Sequence, residues 1–512
     1  MCSADLAGAL RTAAETARAQ HCAGCASGPC PGQGARRLVR SRDVETPTGA
    51  AFAVPIGTEC GGHIVFLRHA RKTGWLFGAG ETSLQPVRVR PGAFCAFCAR
   101  RTLRCTLRLA PVRSAAYTPQ PNQPFAERSP GDPAMADKIQ VFTPYFRVEE
   151  CLEQIRECLE IGWSGMGFKT VEMEKAWSDY TGLPHSHFLN SATAALHIAV
   201  AMLKRKHNWN DGDEIICTPL TFVSSNHAVM YENMKVTFAD VDEYLCMDPV
   251  DIERKIGPRT RAVMFVALGG NTGRLKDVAR LCKERDLKLI LDAAHMAGSK
   301  LDGLDPGHWA DVTCYSFQAV KNLPTADSGM VCFKDTALDE EARKFSWLGI
   351  NKDTFARAAQ GNYKWKYGVD YVGYKYNGSA VMGAMALVGL KYLDDDNARR
   401  RAIAAMYDQR FAGVPEIEAV PMAADCAPSR HLYQVMVDNR DGLMAHLNQA
   451  DIFPGVHYRD NTEYDMFAYG KGSCPRAARA SDRLITLPIH LRLRDEDVHR
   501  VADEVLRFVR AA

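Results

Sequence analysis

The 512-residue sequence contains no apolar run of the roughly 18 residues that a membrane-spanning helix requires. Its N-terminus also lacks the continuous apolar segment of a secretory signal peptide. The Gly-x4-Gly-Lys-Ser/Thr loop, the His-Glu-x2-His motif and the Gly-x-Ser-x-Gly elbow are missing, so nothing supports nucleotide hydrolysis, zinc proteolysis or serine hydrolysis. We therefore expect a cytoplasmic protein with no membrane partner, whose chemistry comes from other residues.

Lysine is nearly absent from the first quarter of the chain, where arginine supplies the positive charge. Residues 1–134 hold sixteen arginines and one lysine against eight acidic residues, a balance of +9. The rest of the chain holds 46 basic and 52 acidic residues, a balance of −6. The net charge of +3 for the whole chain therefore gives no reason to expect a nucleic-acid partner for the main body.

Residues 1–134 also show no sustained apolar period of a helix or a strand, although they hold eight of the seventeen cysteines. Six of these could be considered for a zinc site: Cys22-x2-Cys25, Cys95-x2-Cys98, Cys30 and Cys105. The two pairs are much farther apart than the roughly 15 to 20 residues of a zinc knuckle, so we expect no metal. We interpret residues 1–134 as a disordered extension, or as sequence upstream of a true start at Met135.

From Met135 onward, short apolar segments alternate with amphipathic helices, which is typical of an α/β fold with a mainly parallel sheet. The predicted strands are Glu214–Thr218, Val236–Ala239, Ala262–Ala267, Leu287–Leu291, Val312–Ser316 and Gly329–Phe333. A connecting helix, Asp277–Arg285, should turn Leu281 and Cys282 toward the core. The nine cysteines of this part stand singly, mostly in apolar segments, so we interpret them as buried hydrophobic residues rather than as a disulfide framework.

A change of pattern near residue 385 predicts two domains, a large one at 135–385 and a smaller C-terminal one at 386–512. The smaller domain should contain a long helix, short strands near Leu432–Val437 and Ile485–Leu487, and a final helix Glu496–Val509. Ligands of open α/β sheets bind beyond the carboxyl ends of the strands. The residues at such ends are Asp292, Gly269, Thr221 and Ser316.

Two residues near those ends together suggest a cofactor. Lys321 follows an apolar strand, and Asp292 lies at the end of another, 29 residues earlier. A lysine amine can form a Schiff base with an aldehyde cofactor, and a carboxylate at the end of a buried strand can keep the ring nitrogen of that cofactor protonated. This pairing indicates a pyridoxal 5′-phosphate site.

The phosphate of such a cofactor needs donors, and Asn190–Ile198 offers small residues at the start of an apolar-periodic helix. Backbone N–H groups and the helix dipole suit a dianion there, although the segment can also be read as an ordinary helix cap. Three more candidates converge on the same chemistry: Ser316, Lys375 and Asn377.

The cofactor ring needs a face to rest on, and Phe222, shortly after a strand, could provide it. Taken alone, Phe222 reads as a core residue. His295 lies three residues after Asp292 and could reach the hydroxyl of the ring, but a lone histidine is more often a packing residue.

In their order and spacing, these motifs resemble the nucleotide-sugar aminotransferases of the DegT/StrS type. The resemblance runs from Met135 to the C-terminus and is carried by Asn190–Leu196, Gly212–Glu214, Thr221–Phe222, Asp292–His295, Ser316–Leu323 and Gly373–Asn377. It implies the aspartate aminotransferase-like fold (fold type I), pyridoxal phosphate as cofactor, and a homodimer whose active sites are shared between subunits. Residues 1–134 have no counterpart in it.

Carried over by position, Lys321 looks like the Schiff-base lysine, Asp292 like the partner of the ring nitrogen, Phe222 like the stacking aromatic and His295 like the contact of the ring hydroxyl. Ala192, Thr193 and Ser316 match phosphate ligands, and Lys375 and Asn377 would come from the neighbouring subunit. Trp163 and Ser164 are similar to a segment that lines the sugar side. His457 and Tyr458 are candidates for substrate contact, or for packing in the smaller domain.

The chain departs from the family pattern at three places: Ala326–Gly329, Gly378–Ala380 and the pair Val266–Ala267. None of these removes the cofactor site, but they put the sugar pocket in doubt. The resemblance implies transfer of an amino group from an amino acid, with glutamate expected, to a nucleotide-linked keto sugar, for amino-sugar or surface polysaccharide biosynthesis. The alternatives are a sugar dehydratase, which has histidine in place of the retained Lys321, and a non-catalytic regulator.

Overall fold

The computed structural model describes residues 138–351 and 367–511 and, before residue 138, only the strands β1 (Phe66–Arg68), β2 (Trp75–Gly80) and β3 (Ser83–Arg88). These three form an antiparallel sheet in the order β1-β2-β3, which the sequence pattern did not predict. The prediction of disorder for the rest of residues 1–134, and the alternative zinc site, lie outside the described residues. The described residues from 138 onward belong to one compact unit, which contains all the elements that follow.

The helices of this unit are α1 (Val148–Glu160), α2 (Phe168–Thr181), α3 (Ala192–His207), α4 (Ser224–Tyr231), α5 (Pro249–Lys255), α6 (Leu275–Glu284), α7 (Thr336–Phe345), α8 (Ala380–Lys391), α9 (Leu393–Phe411), α10 (Arg440–Gln449), α11 (Pro475–Arg483) and α12 (Asp495–Ala511). Short 3-10 turns occupy Leu268–Gly270, Pro306–Trp309, Asn461–Glu463 and Asp465–Gly470. The strands are β4 (Ile139–Gln140), β5 (His185–Leu189), β6 (Glu214–Cys217), β7 (Lys235–Phe238), β8 (Thr260–Val266), β9 (Lys288–Asp292), β10 (Lys300–Leu301), β11 (Val312–Ser316), β12 (Gly329–Phe333), β13 (Glu418–Ala419), β14 (Cys426–Ala427), β15 (Tyr433–Met436), β16 (Ile452–Phe453) and β17 (Leu484–Leu487).

A seven-stranded sheet in the order β5-β12-β11-β9-β8-β6-β7 forms the centre of the fold. Strands β7, β6, β8, β9 and β11 pair in parallel, β12 runs antiparallel to its neighbours, and β5 therefore points the same way as the parallel set. The predicted α/β fold with a mainly parallel sheet is confirmed. Because six strands share one direction, their carboxyl ends meet at one edge of the sheet.

The central strands are buried on both faces, as strands of a parallel sheet covered by helices should be. Every residue of β11 and β12 is buried, and so are Leu281 and Cys282 of α6, as the helical period predicted. Nine cysteines among the described residues are free thiols, of which only Cys426 is partly exposed. The interpretation of these cysteines as small hydrophobic residues is confirmed.

A second, three-stranded sheet in the order β13-β15-β17 packs with α9, α10 and α12 around a separate apolar cluster, which includes Tyr407, Val435, Leu447 and Val505. Helix α8 instead packs against α1 and α2. The division into domains at residue 385 stays a prediction. No described helix is both long enough and apolar enough to cross a membrane.

Candidate active site

A cavity of about 420 Å³ opens at the carboxyl edge of the seven-stranded sheet. Its walls come from the segments that follow β5, β6, β8, β9 and β11, together with side chains around residues 431 and 457. The predicted site residues that line it are Lys321, Asp292, His295, Phe222, Ala192, Thr193, Ser316, His457 and Tyr458. The chain thus brings the proposed amine and the proposed acid to one cavity, although they come from different strand ends.

Lys321 lies five residues beyond the end of β11, in a tight turn in which its N–H donates to Gln318 O (2.8 Å). Its side chain is partly buried at the cavity wall, and desolvation lowers the pKa of Lys321 to about 8, against a smaller opposing effect of the Asp292 carboxylate. A lysine with a pKa near 8 is a free amine in a much larger fraction of molecules at neutral pH than an exposed one. Lys321 is therefore suited to act as a nucleophile and as a base.

Asp292 is the last residue of β9, and its carboxylate is buried. One oxygen accepts a hydrogen bond from Ser225 Oγ (2.7 Å) and the other from the Ala294 N–H (3.1 Å). Ser225 is itself bonded to Thr221 Oγ1 (2.9 Å). Burial raises the pKa of Asp292, while these bonds and Lys321 oppose the rise, so a cation placed against this carboxylate would be strongly favoured.

Small residues at the N-terminus of α3 form another wall of the cavity. Ser191 is the N-cap, and its hydroxyl accepts from the Ala194 N–H (3.1 Å), so the reading as a helix cap is correct. Ser191, Ala192 and Thr193 also line the cavity, and a helix N-terminus facing a cavity is suited to a phosphate. A Cβ on Gly329 would lie 2.6 Å from Ala192 N, so only glycine leaves room for this turn.

Because Gly329 lies so close to this turn, a larger residue at position 329 should be destabilising. Gly329→Ala should cost about 1–3 kcal/mol of unfolding free energy, because the added methyl group must push the backbone at Ser191–Ala192 away from β12. The same shift should weaken retention of a phosphate-bearing ligand, which equilibrium dialysis can measure beside urea unfolding. Gly257→Ala is the matched control, since a Cβ there meets nothing within 4 Å. If the two variants behave alike, the turn is not constrained as described.

His295 and Tyr458 form a linked pair on the cavity wall. The Gly269 N–H donates to His295 Nδ1 (3.1 Å), which leaves the proton of the neutral ring on Nε2, 3.2 Å from Tyr458 Oη. Burial, together with nearby Lys321 and His457, lowers the pKa of His295 well below its usual value, so the ring stays neutral. If His295 donates to Tyr458, the phenolic hydrogen of Tyr458 is left to be donated to a ligand.

Phe222 is 57% exposed and lines the cavity. The alternative reading of Phe222 as a core residue is therefore wrong. Its ring lies 5.9 Å from that of Tyr458 and is tilted 53° to it, so the exposed face of Phe222 is available for a flat ligand to stack on.

Four predicted residues do not line the cavity of a single chain. The Trp163 indole donates to Met166 O (2.6 Å), and Ser164 O accepts from the Ala380 N–H (3.2 Å), so this turn packs at the start of α8. The ammonium of Lys375 lies 3.2 Å from the centre of the Trp347 ring. The Asn377 amide nitrogen donates to Gly378 O (3.1 Å). Their predicted contacts with substrate or cofactor stay predictions.

Several residues in the cavity wall or directly behind it were not singled out from the sequence. Ser225 holds the Asp292 carboxylate, Phe142 comes from the segment after β4, and His431 faces Lys321 with 3.5 Å between His431 Nε2 and Lys321 Nζ. Two of the departures from the family pattern also reach the cavity, where they place Val266, Ala267 and Asp327. In the third departure, Gly378–Ala380, the Ser379 hydroxyl caps α8 by accepting a hydrogen bond from the Met382 N–H.

The described part of the chain is similar to known proteins over most of its length. The profile of the DegT/DnrJ/EryC1/StrS aminotransferase family matches residues 147–506. The spore coat polysaccharide biosynthesis protein SpsC of Bacillus subtilis is 32% identical over 393 residues, which cover 74% of this chain and 100% of SpsC. The dTDP-4-dehydro-2,3,6-trideoxy-D-glucose 4-aminotransferase of Saccharopolyspora spinosa is 30% identical over 381 residues, 72% of this chain and 97% of that enzyme.

Solved structures show the same likeness. The aminotransferase TlmJ from Streptoalloteichus hindustanus is 32% identical with a TM-score of 0.67, and the match covers 73% of this chain and 99% of TlmJ. The putative sugar aminotransferase Spr1654 from Streptococcus pneumoniae in its PLP form is 26% identical with a TM-score of 0.67, over 73% of this chain and 99% of Spr1654. These matches confirm the predicted fold type I architecture.

Proposed function

The chain belongs to the DegT/DnrJ/EryC1/StrS aminotransferase family and is a sugar aminotransferase, and from this premise we propose its cofactor and substrates. We propose that it uses pyridoxal phosphate to move an amino group from an amino acid to a nucleotide-linked keto sugar, and that the amino acid is glutamate. The observation that carries the proposal is that Lys321 and Asp292 line one cavity, which the N-terminus of α3 also lines. The PLP form of Spr1654 and the dTDP-sugar enzyme support it by similarity.

The residues present fit the cofactor. The buried Asp292 carboxylate needs a cationic partner, which a protonated ring nitrogen provides, and the N–H groups around Ala192 and Thr193 suit a phosphate. Phe222 offers its exposed face to the ring. When bound, pyridoxal phosphate supplies an aldehyde carbon for amines and a ring that takes up electrons from the bond to the substrate Cα.

The chemistry of the chain's own groups follows from their positions. Lys321 Nζ would hold the cofactor, would remove the proton from the donor Cα in the first half-reaction, and would deliver a proton to the sugar carbon that receives the amino group in the second. Asp292 would keep the proton on the ring nitrogen of the cofactor, and Ser225 holds Asp292 in place. The amino group leaves the donor in one half-reaction and reaches the keto sugar in the other.

The side chains that would select the sugar are those where this chain departs from its family. Of these, Val266, Ala267 and Asp327 line the cavity. Among the described residues on the cavity wall, Lys321 is the only lysine or arginine. A lysine or arginine other than Lys321 that binds the carboxylate of the amino-acid donor would therefore have to come from outside these lining residues.

The substrate proposal is tested by incubating the protein with glutamate and a panel of keto-sugar nucleotides that differ in base and in the position of the keto group. We expect 2-oxoglutarate and one amino sugar to form in equal amounts, because ping-pong transfer couples the two half-reactions. Release of 2-oxoglutarate once per active site in the absence of a sugar should also occur. A protein that forms neither product with any member of the panel would contradict this function and favour a regulator; loss of a sugar hydroxyl would favour a dehydratase.

We further propose a homodimer in which Lys375 and Asn377 serve the site of the partner subunit. The segment that carries them does not line its own cavity. Asn377 Oδ1 is buried without a hydrogen-bond partner among the described residues. The neighbouring Val372 is 89% exposed, and Val369 and Tyr374 are exposed as well, as expected of side chains that a second subunit covers. A cytoplasmic location stays a prediction.

Co-expression of two defective variants tests this sharing. Lys321→Ala and Lys375→Ala should each be impaired, yet mixed dimers should contain one site with both lysines intact. Random pairing then gives about a quarter of the wild-type activity, since half of the dimers are mixed and each has one intact site. If Lys375 acts within its own subunit, mixing restores nothing, and the proposal is wrong.

A further inference from the structure

His431 lies just before β15, and its ring is buried beside Lys321. His431 Nε2 is 3.5 Å from Lys321 Nζ. This distance is at the long end for a hydrogen bond, but catalytic hydrogen bonds are often long before a ligand is bound. The two residues are 110 positions apart in the sequence, so the contact is made by the tertiary fold.

The hydrogen bonds of the neighbouring amide determine which nitrogen of His431 carries the proton. The Asn322 amide nitrogen donates to Asn397 Oδ1 (2.7 Å) and to Ser429 O (2.7 Å). The Asn322 oxygen is therefore an acceptor, and it lies 3.0 Å from His431 Nδ1. His431 must then donate from Nδ1, which leaves Nε2 without a hydrogen and directed at Lys321.

Two neighbouring rings also constrain the position of the His431 ring. Phe142 stacks on His431 with 5.3 Å between ring centres and 6° between planes, and the His295 ring lies 4.4 Å away. The titratable groups around it are Lys321, His295, His457 and Arg400, with Asp292 beyond Lys321. Burial and these basic neighbours lower the pKa of His431 well below its usual value. The ring therefore stays a neutral acceptor.

We propose that His431 is a positioning residue for the catalytic lysine: its bare Nε2 accepts a hydrogen from Lys321 Nζ and so directs the lone pair of the amine into the cavity. This inference rests on the proposed function of Lys321. A free lysine amine at the end of four methylene groups can rotate through many orientations, and only those with the lone pair toward the bound ligand are productive. The side-chain amides of Asn322 and Asn397 contribute indirectly, because their hydrogen bonds hold His431 in the required tautomer.

The test measures how fast full-length protein, freed of cofactor, takes up pyridoxal phosphate at Lys321 as pH is raised from 6 to 10. His431→Phe keeps a flat ring against Phe142 but removes the acceptor. We expect the plateau rate to fall about tenfold or more, because the amine is no longer directed. The midpoint of the profile should fall by about one pH unit, since an acceptor stabilises the ammonium more than the amine.

His431→Gln provides the rescue, because its side-chain oxygen can accept a hydrogen from Lys321 Nζ. It should restore both the plateau and the midpoint toward those of the wild type. A lower plateau in both variants with an unchanged midpoint would assign His431 a purely structural role and overturn the inference. A wild-type rate and midpoint in His431→Phe would also overturn it. Failure of the wild-type protein to take up the cofactor at Lys321 would instead contradict the proposed function.

Discussion

Lys321→Ala should lower kcat for amino transfer by at least about a thousandfold, because it removes both the amine that holds the cofactor and the base that moves the Cα proton. The substituted position lies in a turn beyond β11 rather than among the large side chains of the core, so we expect the protein to remain folded. Steady-state kinetics with glutamate and the accepted sugar nucleotide, together with thermal unfolding, measure the two effects separately.

Two further variants separate the chemistry of Lys321 from its charge. Lys321→Arg keeps a cation, but a guanidinium stays protonated in proteins and cannot serve as the base, so it should be as inactive as the alanine variant. Lys175→Ala removes an exposed lysine of α2 that pairs with Asp179 (2.6 Å) and should keep full activity. Substantial turnover by Lys321→Arg would show that the charge, and not the amine, is what the site needs.

Asp292→Asn should retain the cofactor and yet lower kcat by about a hundredfold to a thousandfold, the usual cost of removing one preorganised electrostatic contact. The amide keeps the size of the side chain and an oxygen that can accept from Ser225 or Ala294, so the fold should survive. The negative charge that holds the ring proton is lost, and the ring then accepts electrons poorly. Single-turnover measurement of the half-reaction with glutamate reports this step directly.

Asp305→Asn is the matched control for Asp292→Asn. Asp305 is also a buried carboxylate, whose pKa burial raises to about 6, and it accepts from the Tyr315 hydroxyl and from the Gly307 N–H (2.8 Å). It does not line the cavity. The Asp305 variant should therefore lose stability but keep kcat. Equal losses of kcat in the two variants would mean that Asp292 acts only through the fold.

The six strands predicted from the sequence form within one or two residues of the expected ends, because each is a mainly apolar run that the sheet buries along most of its length. The seventh strand of the central sheet, β5, was not predicted, because His185, Ser186 and His187 are not typical of a buried strand. His187 is buried only because Glu174 and Ser346 bond both of its ring nitrogens, and Ser346 lies 159 residues away. No local pattern can show such partners.

The residues of the candidate site also differ in whether a local sequence pattern could reveal them. Lys321 and Asp292 could be found from the sequence, because a strand end followed by a reactive side chain is a local signal. His431 could not, since its contact with Lys321 depends on how the segment before β15 packs against β11 and its following turn. The proposed contacts of Lys375 and Asn377 with a partner subunit would depend on the association of subunits, which neither local pattern nor the fold of one chain determines.

The central claim is that Lys321 is the amine that binds the cofactor, and one measurement tests it most directly. The protein is incubated with pyridoxal phosphate, reduced with borohydride, digested and analysed by mass spectrometry. We predict a single stoichiometric pyridoxyl label on the peptide that contains Lys321, with no label in Lys321→Ala. A label on another lysine, or none on a folded protein, would contradict the account.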